Sequence, residues 1–248
     1  MATVSALAAD SSPKDDIASA AKKVEEAGNY SWKTAVEAGN FNGTTDGKAE
    51  KDGLAVAARL PPLLPPEGTT DGKAEKDGLV SLSMTKGDNT TEAFGKAGNW
   101  VVKRPYQDWQ TLAELEAAAG TEPGPLQSLV RRLQNFKTPA AEVTDLSTKL
   151  KEVKKEGDTY SGDLTEAGAK ELLSFGRRRP NAPEPKNAKG SVKIWTKAGA
   201  FSKYELKIQG TVNFNGEDRD IDRTTTVEIK ELGTTKIEVP GAAKKKLS

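Results

Sequence analysis

A run of carboxylates near the end of the chain is the clearest set of side chains able to do chemistry. It consists of Glu217, Asp218, Asp220 and Asp222. Neighbouring carboxylates can act as a general acid and a general base. This run follows the turn-forming pair Asn215-Gly216, and Arg219 and Arg223 lie among the carboxylates and can balance their charge. We therefore interpret it as the solvated tip of a β-hairpin and assign no catalytic residue.

The chain of 248 residues contains neither histidine nor cysteine. This composition excludes imidazole bases, cysteine nucleophiles, Ser-His-Asp triads, zinc fingers, iron–sulfur clusters and disulfide bonds. Enzymes that use carboxylates, lysine or a Ser-Lys pair remain open. The acidic residues Asp46, Glu50 and Asp52 lack the spacing of a calcium-binding loop. The sequence thus predicts a protein that is not an enzyme and that holds no metal or other cofactor.

The formal net charge of +1 argues against nucleic acid as a partner, because phosphate binding requires a clustered basic excess. The short basic clusters are Arg131-Arg132, Arg177-Arg178-Arg179 and Lys244-Lys245-Lys246. We interpret them as solvated helix ends and a frayed tail. No segment approaches the roughly 20 apolar residues of a membrane span, so we expect a soluble protein without a transmembrane segment. The sequence indicates no particular protein partner.

The first nine residues are small and apolar, and Ala6-Leu7-Ala8 fits the A-x-A pattern that precedes a signal-peptidase cleavage site. Two interpretations stay open for residues 1–9. They are either the residual end of an export signal, which would place the protein in the periplasm or outside the cell, or an ordinary terminus.

Alternation of apolar and polar side chains dominates the end of the chain. It covers residues 191–196, 204–208, 211–214, 226–230 and 236–239. Because successive side chains of a strand point to opposite faces, this pattern predicts an antiparallel sheet with one apolar face. The rest of the chain must supply the elements that cover this face.

Helices and a second block of strands are predicted before this sheet. Helical stripes and caps indicate helices over residues 13–27, 109–119, 126–136, 139–153 and 165–173, and strands are predicted over 30–36, 78–85 and 100–103. Residues 177–190 are predicted to form an exposed connector. We predict an α+β fold in which a single curved antiparallel sheet, a half-barrel, wraps around several helices in one domain over residues 10–248. Two separate domains are the alternative.

The sequence GTTDGKAEKDGL occurs twice without a difference, at residues 43–54 and 68–79. Two identical copies suggest a recent tandem duplication of 25 residues or an engineered or generated sequence, whereas a solenoid would show several degenerate copies. The first copy leads into a proline-rich stretch, which disfavours a strand, and the second leads into the strand predicted at 78–85. We predict that residues 43–67 are an insertion loop. Pro62-Leu63-Leu64-Pro65 matches the P-x-x-P pattern, which is too short to be specific.

Four segments resemble a known group of proteins. They are residues 160–165, 190–195, 202–206 and 234–240, together with Tyr30-Ser31-Trp32. They resemble uncharacterised exported bacterial proteins and, remotely, the outer-membrane lipoprotein carrier and mycobacterial lipoprotein superfamily. That resemblance implies a half-barrel wrapped on helices, with acyl chains carried in the cavity in some members. The chain lacks the lipid-anchor cysteine of the lipoproteins, and no motif identifies a ligand.

The predicted function is binding of a lipid or other apolar small molecule between the sheet and the helices. The candidate lining residues are Trp195, Tyr204, Leu206, Ile208, Val212, Phe214, Val227 and Ile229. The alternative is that these residues simply pack on the helices, in an envelope structural or interaction protein without a ligand. An enzyme that uses the carboxylate run is the third class.

Overall fold

A computed structural model describes residues 12–38, 68–120, 124–174, 183–214 and 217–247. These residues form eleven strands and six helices. The strands are β1 (Tyr30–Ala38), β2 (Gly68–Ala74), β3 (Val80–Lys86), β4 (Asn89–Lys96), β5 (Asn99–Lys103), β6 (Gln110–Thr111), β7 (Lys154–Glu156), β8 (Thr159–Asp163), β9 (Lys186–Lys197), β10 (Ala200–Phe214) and β11 (Glu217–Lys230). The helices are α1 (Pro13–Ala27), α2 (Leu112–Ala119), α3 (Pro125–Gln134), α4 (Pro139–Lys149), α5 (Glu166–Leu173) and α6 (Gly241–Leu247).

All strands belong to one curved, open sheet in the order β6-β5-β4-β3-β2-β1-β11-β10-β9-β8-β7. Each neighbouring pair is antiparallel, so the sheet consists of two meanders, β1 to β6 and β7 to β11. The pairing of β1 with β11 joins them. The predicted α+β fold with a curved antiparallel sheet around helices is confirmed.

One face of this sheet, here called the inner face, is covered by helices. On β10 the inner side chains are Tyr204, Leu206 and Ile208, all buried, and they alternate with more exposed residues. Opposite Tyr204 lie Val227 on β11 and Ile194 on β9, which are also buried. The period-two pattern of the sequence thus becomes a continuous apolar surface across three strands.

Two groups of helices cover the inner face. Helix α1 packs on α4 and β10, and α5 packs on β9 and β10, so this group covers the second meander. Helix α2 packs on α3 and on β5 and β6 and covers the first meander. Lys149 near the end of α4 ties that helix to α5, with its Nζ 2.8 Å from Asp145 and 3.3 Å from Glu171.

Side-chain caps fix where the helices begin. Ser12 caps α1, and its hydroxyl accepts a hydrogen bond from the Asp15 backbone N–H while Pro13 opens the first turn. Thr111 and Glu114 form a capping box at α2. Such caps satisfy N–H groups that have no partner within the helix. The predicted start of α1 at Ser12-Pro13 and its end before Gly28 are confirmed.

A second, smaller core lies on the outer face of the first meander. It contains Phe94 of β4, Val101 of β5, Trp109 and Ala243 of α6. The rings of Phe94 and Trp109 lie 5.4 Å apart. Strand β5 is therefore buried on both faces. The interpretation of the C-terminal lysines as a frayed tail is wrong, because Lys244, Lys245 and Lys246 belong to α6.

Several other boundaries differ from those predicted. Residues 236–239 form no strand and run as irregular chain before α6. Helix α4 ends at Lys149, so the predicted helical residues Leu150 and Val153 lie beyond it. The connector predicted at 177–190 ends sooner, because β9 begins at Lys186. The predicted export-signal remnant at 1–9, the loop at 43–67 and the cluster at 177–179 lie outside the described residues.

Candidate functional site

The inner face is only partly covered between the two helix groups. Six neighbouring inner positions are half-buried: Thr34, Val36, Thr70, Met84, Arg223 and Thr225. We call this set the inner strip. It is continuous, because Thr34 pairs with Thr70 and Thr70 pairs with Met84 across the strands. A mixed surface of methyl groups, hydroxyls and one cation thus remains partly exposed on the inner face.

Aromatic rings border the inner strip on the side of the first meander. The indole of Trp32 lies over Gly72 so closely that a Cβ there would be 2.1 Å from the ring. Trp100 lies over Gly95 in the same way, at 2.7 Å. Both indoles contact Phe136, with centroid distances of 6.3 and 5.3 Å. Only glycine at the two positions allows the indoles to lie flat on the sheet.

A buried polar pair borders the inner strip on the other side. The Tyr204 hydroxyl donates a hydrogen bond to Oε2 of Glu142 on α4. Burial raises the pKa of Glu142, although the hydrogen bond from Tyr204 and the charge of Arg223 both act to lower it. Burial also raises the pKa of Tyr204 well above its usual value, and the Glu142 carboxyl adds to this effect. Both shifts favour the protonated, neutral form of each group over its anion.

Two arginines lie at the inner strip: Arg223 belongs to it, and Arg132 lies beside its residue Met84. The Nε and Nη1 atoms of Arg223 are shielded from solvent, and burial lowers the pKa of this residue to about 10. Glu142 opposes that shift and the like charge of Arg132 adds to it. Arg132 on α3 is half-buried, and its Nη1 lies 3.8 Å from Sδ of Met84. Burial lowers the pKa of Arg132 as well. Both groups remain cations at neutral pH.

Six of the eight predicted lining residues lie on the inner face in the described part of the chain. Tyr204, Leu206, Ile208 and Val227 are buried there, and Val212 and Ile229 are half-buried at its margin. The side chain of Phe214 lies outside what is described. The lining role of these residues stays a prediction, and the buried four belong to the packed core.

Trp195 lies on the outer face, because it pairs with Lys203 while its neighbour Ile194 faces inward. Its ring packs against two lysine ammonium groups, with Nζ of Lys203 4.9 Å and Nζ of Lys193 5.1 Å from the centroid. This position does not allow Trp195 to line a cleft between sheet and helices. The period-two pattern of the sequence already places the adjacent residues Trp195 and Ile194 on opposite faces of the sheet.

Sequence reasoning missed the polar residues at the inner strip. Arg223 was interpreted as charge balance for the carboxylate run and Arg132 as part of a solvated helix end. Arg223 lies two residues from both Ile221 and Thr225. This period-two spacing already places its side chain on their face of the sheet, the inner face. Arg132 lies three residues after Leu129, at the margin of the apolar stripe of α3. Glu142 lies four residues before Leu146 and follows the same pattern on α4.

The carboxylate run lies on β11, and its aspartates point to the outer face. Asp218 bonds Lys186 at 2.8 Å, Asp220 accepts from Thr211 at 2.7 Å and Asp222 accepts from Gln209 at 3.0 Å. Each aspartate is thus used in a cross-strand pair at an exposed hairpin. Another outer-face feature is a groove of about 280 Å³ lined by Lys73, Ser81, Lys236, Ile237 and Glu238.

The comparisons with known proteins give no relationship. No family model matches the chain, and no curated protein matches it. Within the described ranges, no helix combines the length and apolar character needed to cross a bilayer. In the same ranges, no group of three or more acidic side chains is arranged to hold a metal ion.

Proposed function

We propose that this chain is a non-enzymatic binding protein that holds an apolar or lipidic ligand between the inner face of the sheet and the helices. The observation that carries this proposal is the inner strip, a half-covered surface bordered by the Trp32, Trp100 and Phe136 rings. Ligand sites combine apolar surface with a few polar groups, and the inner strip joins Val36 and Met84 to threonine hydroxyls and the Arg223 cation.

The energetics favour a ligand with a chain over a compact polar one. Each methylene transferred from water to an apolar surface contributes about 0.8 kcal/mol. A ligand lying along the inner strip would cover the side chains of Val36 and Met84 and the edge of Phe136. The hydroxyls of Thr34 and Thr70 can still bond to each other or to water. A carrier must also compete with a membrane, which requires contact along most of the chain of the lipid.

The first test is native mass spectrometry of protein purified from cells. The proposal expects additional masses that correspond to bound lipid and that disappear after organic extraction. A mass equal to that of the polypeptide alone, unchanged after incubation with lipid vesicles, would contradict it and favour the structural or interaction protein. Hydrolysis of an added ester would argue for an enzyme.

A pair of identical substitutions on β2 tests the location. Thr70 faces inward on the inner strip, and Thr69 is its neighbour on the outer face. The change Thr70→Trp fills the strip and should abolish lipid binding, while Thr69→Trp should leave it intact. Circular dichroism spectra of both variants control for folding. Equal lipid binding by the two variants would exclude the inner strip as the site.

We further propose that the protein acts in the periplasm or outside the cell. This rests on the A-x-A pattern at residues 6–8 and on the resemblance to exported proteins. Cell fractionation of a bacterium expressing the chain tests it. Recovery with the cytoplasmic fraction alone would contradict the location without affecting the binding proposal.

A further inference from the structure

Arg132 has an unusual environment for a cation. It lies near the end of α3, half-buried, with its guanidinium over β3. Among the described residues its hydrogen-bond acceptor is the thioether of Met84, which is a weak acceptor. The adjacent Arg131 differs, because its Nη2 bonds Oε1 of Gln127 at 2.9 Å. A guanidinium carries five N–H donors, so Arg132 retains the capacity to bind an oxyanion.

The surroundings of Arg132 add to the positive potential. Arg223 lies close enough that the like charge of Arg132 helps to lower its pKa. The carboxyl group near them, Glu142, already accepts the hydrogen bond from Tyr204. A second cation near a half-buried guanidinium raises the free energy of the empty site and stabilises a bound anion. The planar fork of arginine suits carboxylate and phosphate oxygens.

We propose that Arg132 receives the anionic group of the ligand, a carboxylate or a phosphate, while the apolar chain of the ligand lies along the inner strip. This inference rests on the proposed function and specifies its ligand class, an anionic lipid. Met84 then has two roles: its sulfur contacts the guanidinium and its methyl group contacts the chain. Arg223 contributes through its charge, as a positioning residue for the head group.

Isothermal titration with decanoate and with decanol at pH 8 tests the inference. The two ligands share their chain, and only decanoate is charged. The wild-type protein should bind decanoate more tightly than decanol by about tenfold or more, the value of one charge-assisted hydrogen bond. In Arg132→Gln this preference should vanish while decanol binds as before. Arg132→Lys should keep part of it, and Arg131→Gln, the matched control on the same helix, should keep all of it.

Each result has a distinct meaning. Equal affinity of the wild-type protein for both ligands would overturn the inference and leave the proposed function standing. An unchanged preference in Arg132→Gln would also overturn it, by assigning the charge recognition to another residue. Failure of both ligands to bind would overturn the proposed function and this inference with it. Inorganic phosphate distinguishes the source of the anion: competition with decanoate but not with decanol supports a head-group site, whereas phosphate binding with no lipid binding identifies a free-anion site and rejects the lipid.

Discussion

The two meanders of the sheet bury their side chains in different ways. In the second meander, β9, β10 and β11 are 12, 15 and 14 residues long, covered by helices on one face and exposed on the other. In the first, β4 and β5 are 8 and 5 residues long and covered on both faces, on the outside by α6. Strict alternation is therefore the mark of a sheet with one covered face. A consecutive apolar run such as Trp100-Val101-Val102 indicates a strand that is covered on both faces.

The inner faces also differ in composition. The second meander presents Tyr204, Leu206 and Ile208, which are covered by helices α1, α4 and α5. The first presents two indoles lying on glycines. The half-covered inner strip lies where these two packing arrangements meet, on β1, β2, β3 and β11. The buried residues of the two inner faces nevertheless form one continuous apolar core.

The largest expected effect comes from truncating one inner leucine in each meander. Leu82 is 4 % and Leu206 3 % exposed, so they form a matched pair. Leu82→Ala and Leu206→Ala should each lower the free energy of unfolding by about 2–5 kcal/mol, because each leaves a cavity in the core. Urea unfolding followed by circular dichroism should show one transition in both variants. Two transitions, with one meander unfolding alone, would divide the sheet into independent units.

Removing the buried hydroxyl of Tyr204 should have the next largest effect. In Tyr204→Phe the Glu142 carboxyl loses its donor inside the protein, at a cost of about 1–3 kcal/mol. Tyr160→Phe is the control, since Asp16 retains its ion pair with Lys155 at 2.7 Å when the Tyr160 donor is lost. Chemical denaturation measures both variants. If Tyr160→Phe lowered the free energy of unfolding as much as Tyr204→Phe, burial of the Tyr204–Glu142 pair would not increase the cost of losing its hydrogen bond.

A charge placed under α6 tests the outer core of the first meander. Ala243 is buried against Phe94, Val101 and Trp109. In Ala243→Asp the carboxylate would lack a partner, so α6 should detach at a cost of about 1–2 kcal/mol. Amide hydrogen exchange should then become faster in β4 and β5 and stay unchanged in β10. Faster exchange throughout the sheet would mean that α6 supports the whole fold.

The pH dependence of stability should reveal Glu142. Its folded-state pKa is raised by burial, so the native protein binds this proton more tightly than the unfolded chain does. The resulting stability is fully present below the unfolded pKa of about 4.3 and is lost as pH rises through the folded value. Glu142→Gln does not titrate. Its stability relative to wild type should therefore improve from about pH 4 towards neutrality, as urea titrations at several pH values can measure. Parallel curves would contradict the raised pKa.

The smallest effect is expected from deleting residues 43–67. The first copy of the repeat lies there, and the second copy supplies β2 in the centre of the sheet. Deleting 43–67 should leave the melting temperature within a few degrees, because surface insertions cost little. Deleting residues 68–79, which repeat the sequence of residues 43–54, should abolish cooperative unfolding. Collapse of folding in the first deletion would assign the first copy to the core.

Much of the fold was predictable because its signals are local. The cap at Ser12 and the alternation of β10 depend on neighbouring residues alone, and the structure confirms them. Strand β2 was not predicted, since Gly68–Ala74 is rich in glycine and threonine and has no apolar period. Its pairing with β1 and β3 decides its conformation. Residues 236–239 alternate like a strand, but Ile237 and Val239 pack on the outer core and the Ile237 N–H donates to the Glu75 side chain, so no ladder forms.

The candidate site was less predictable for a physical reason. Period-two patterns identify inner positions, which is how Tyr204 and Val227 were recognised. They do not reveal which inner positions a helix covers, because that depends on how α3 and α4 pack. The environment of Arg132 is formed by Met84 and Arg223, which are distant from it in sequence. Such a site becomes visible only after the chain has folded.

The position of β1 in the middle of the sheet has a consequence for biosynthesis. Strand β1 pairs with β11, Ser31 opposite Lys230, so the centre of the sheet cannot close until Lys230 has left the ribosome. Until then one edge of β1 stays available to other chains. Pairings this distant in sequence are slow to form and prone to aggregation. An emerging chain of this topology therefore gains from a chaperone that shields its first strand.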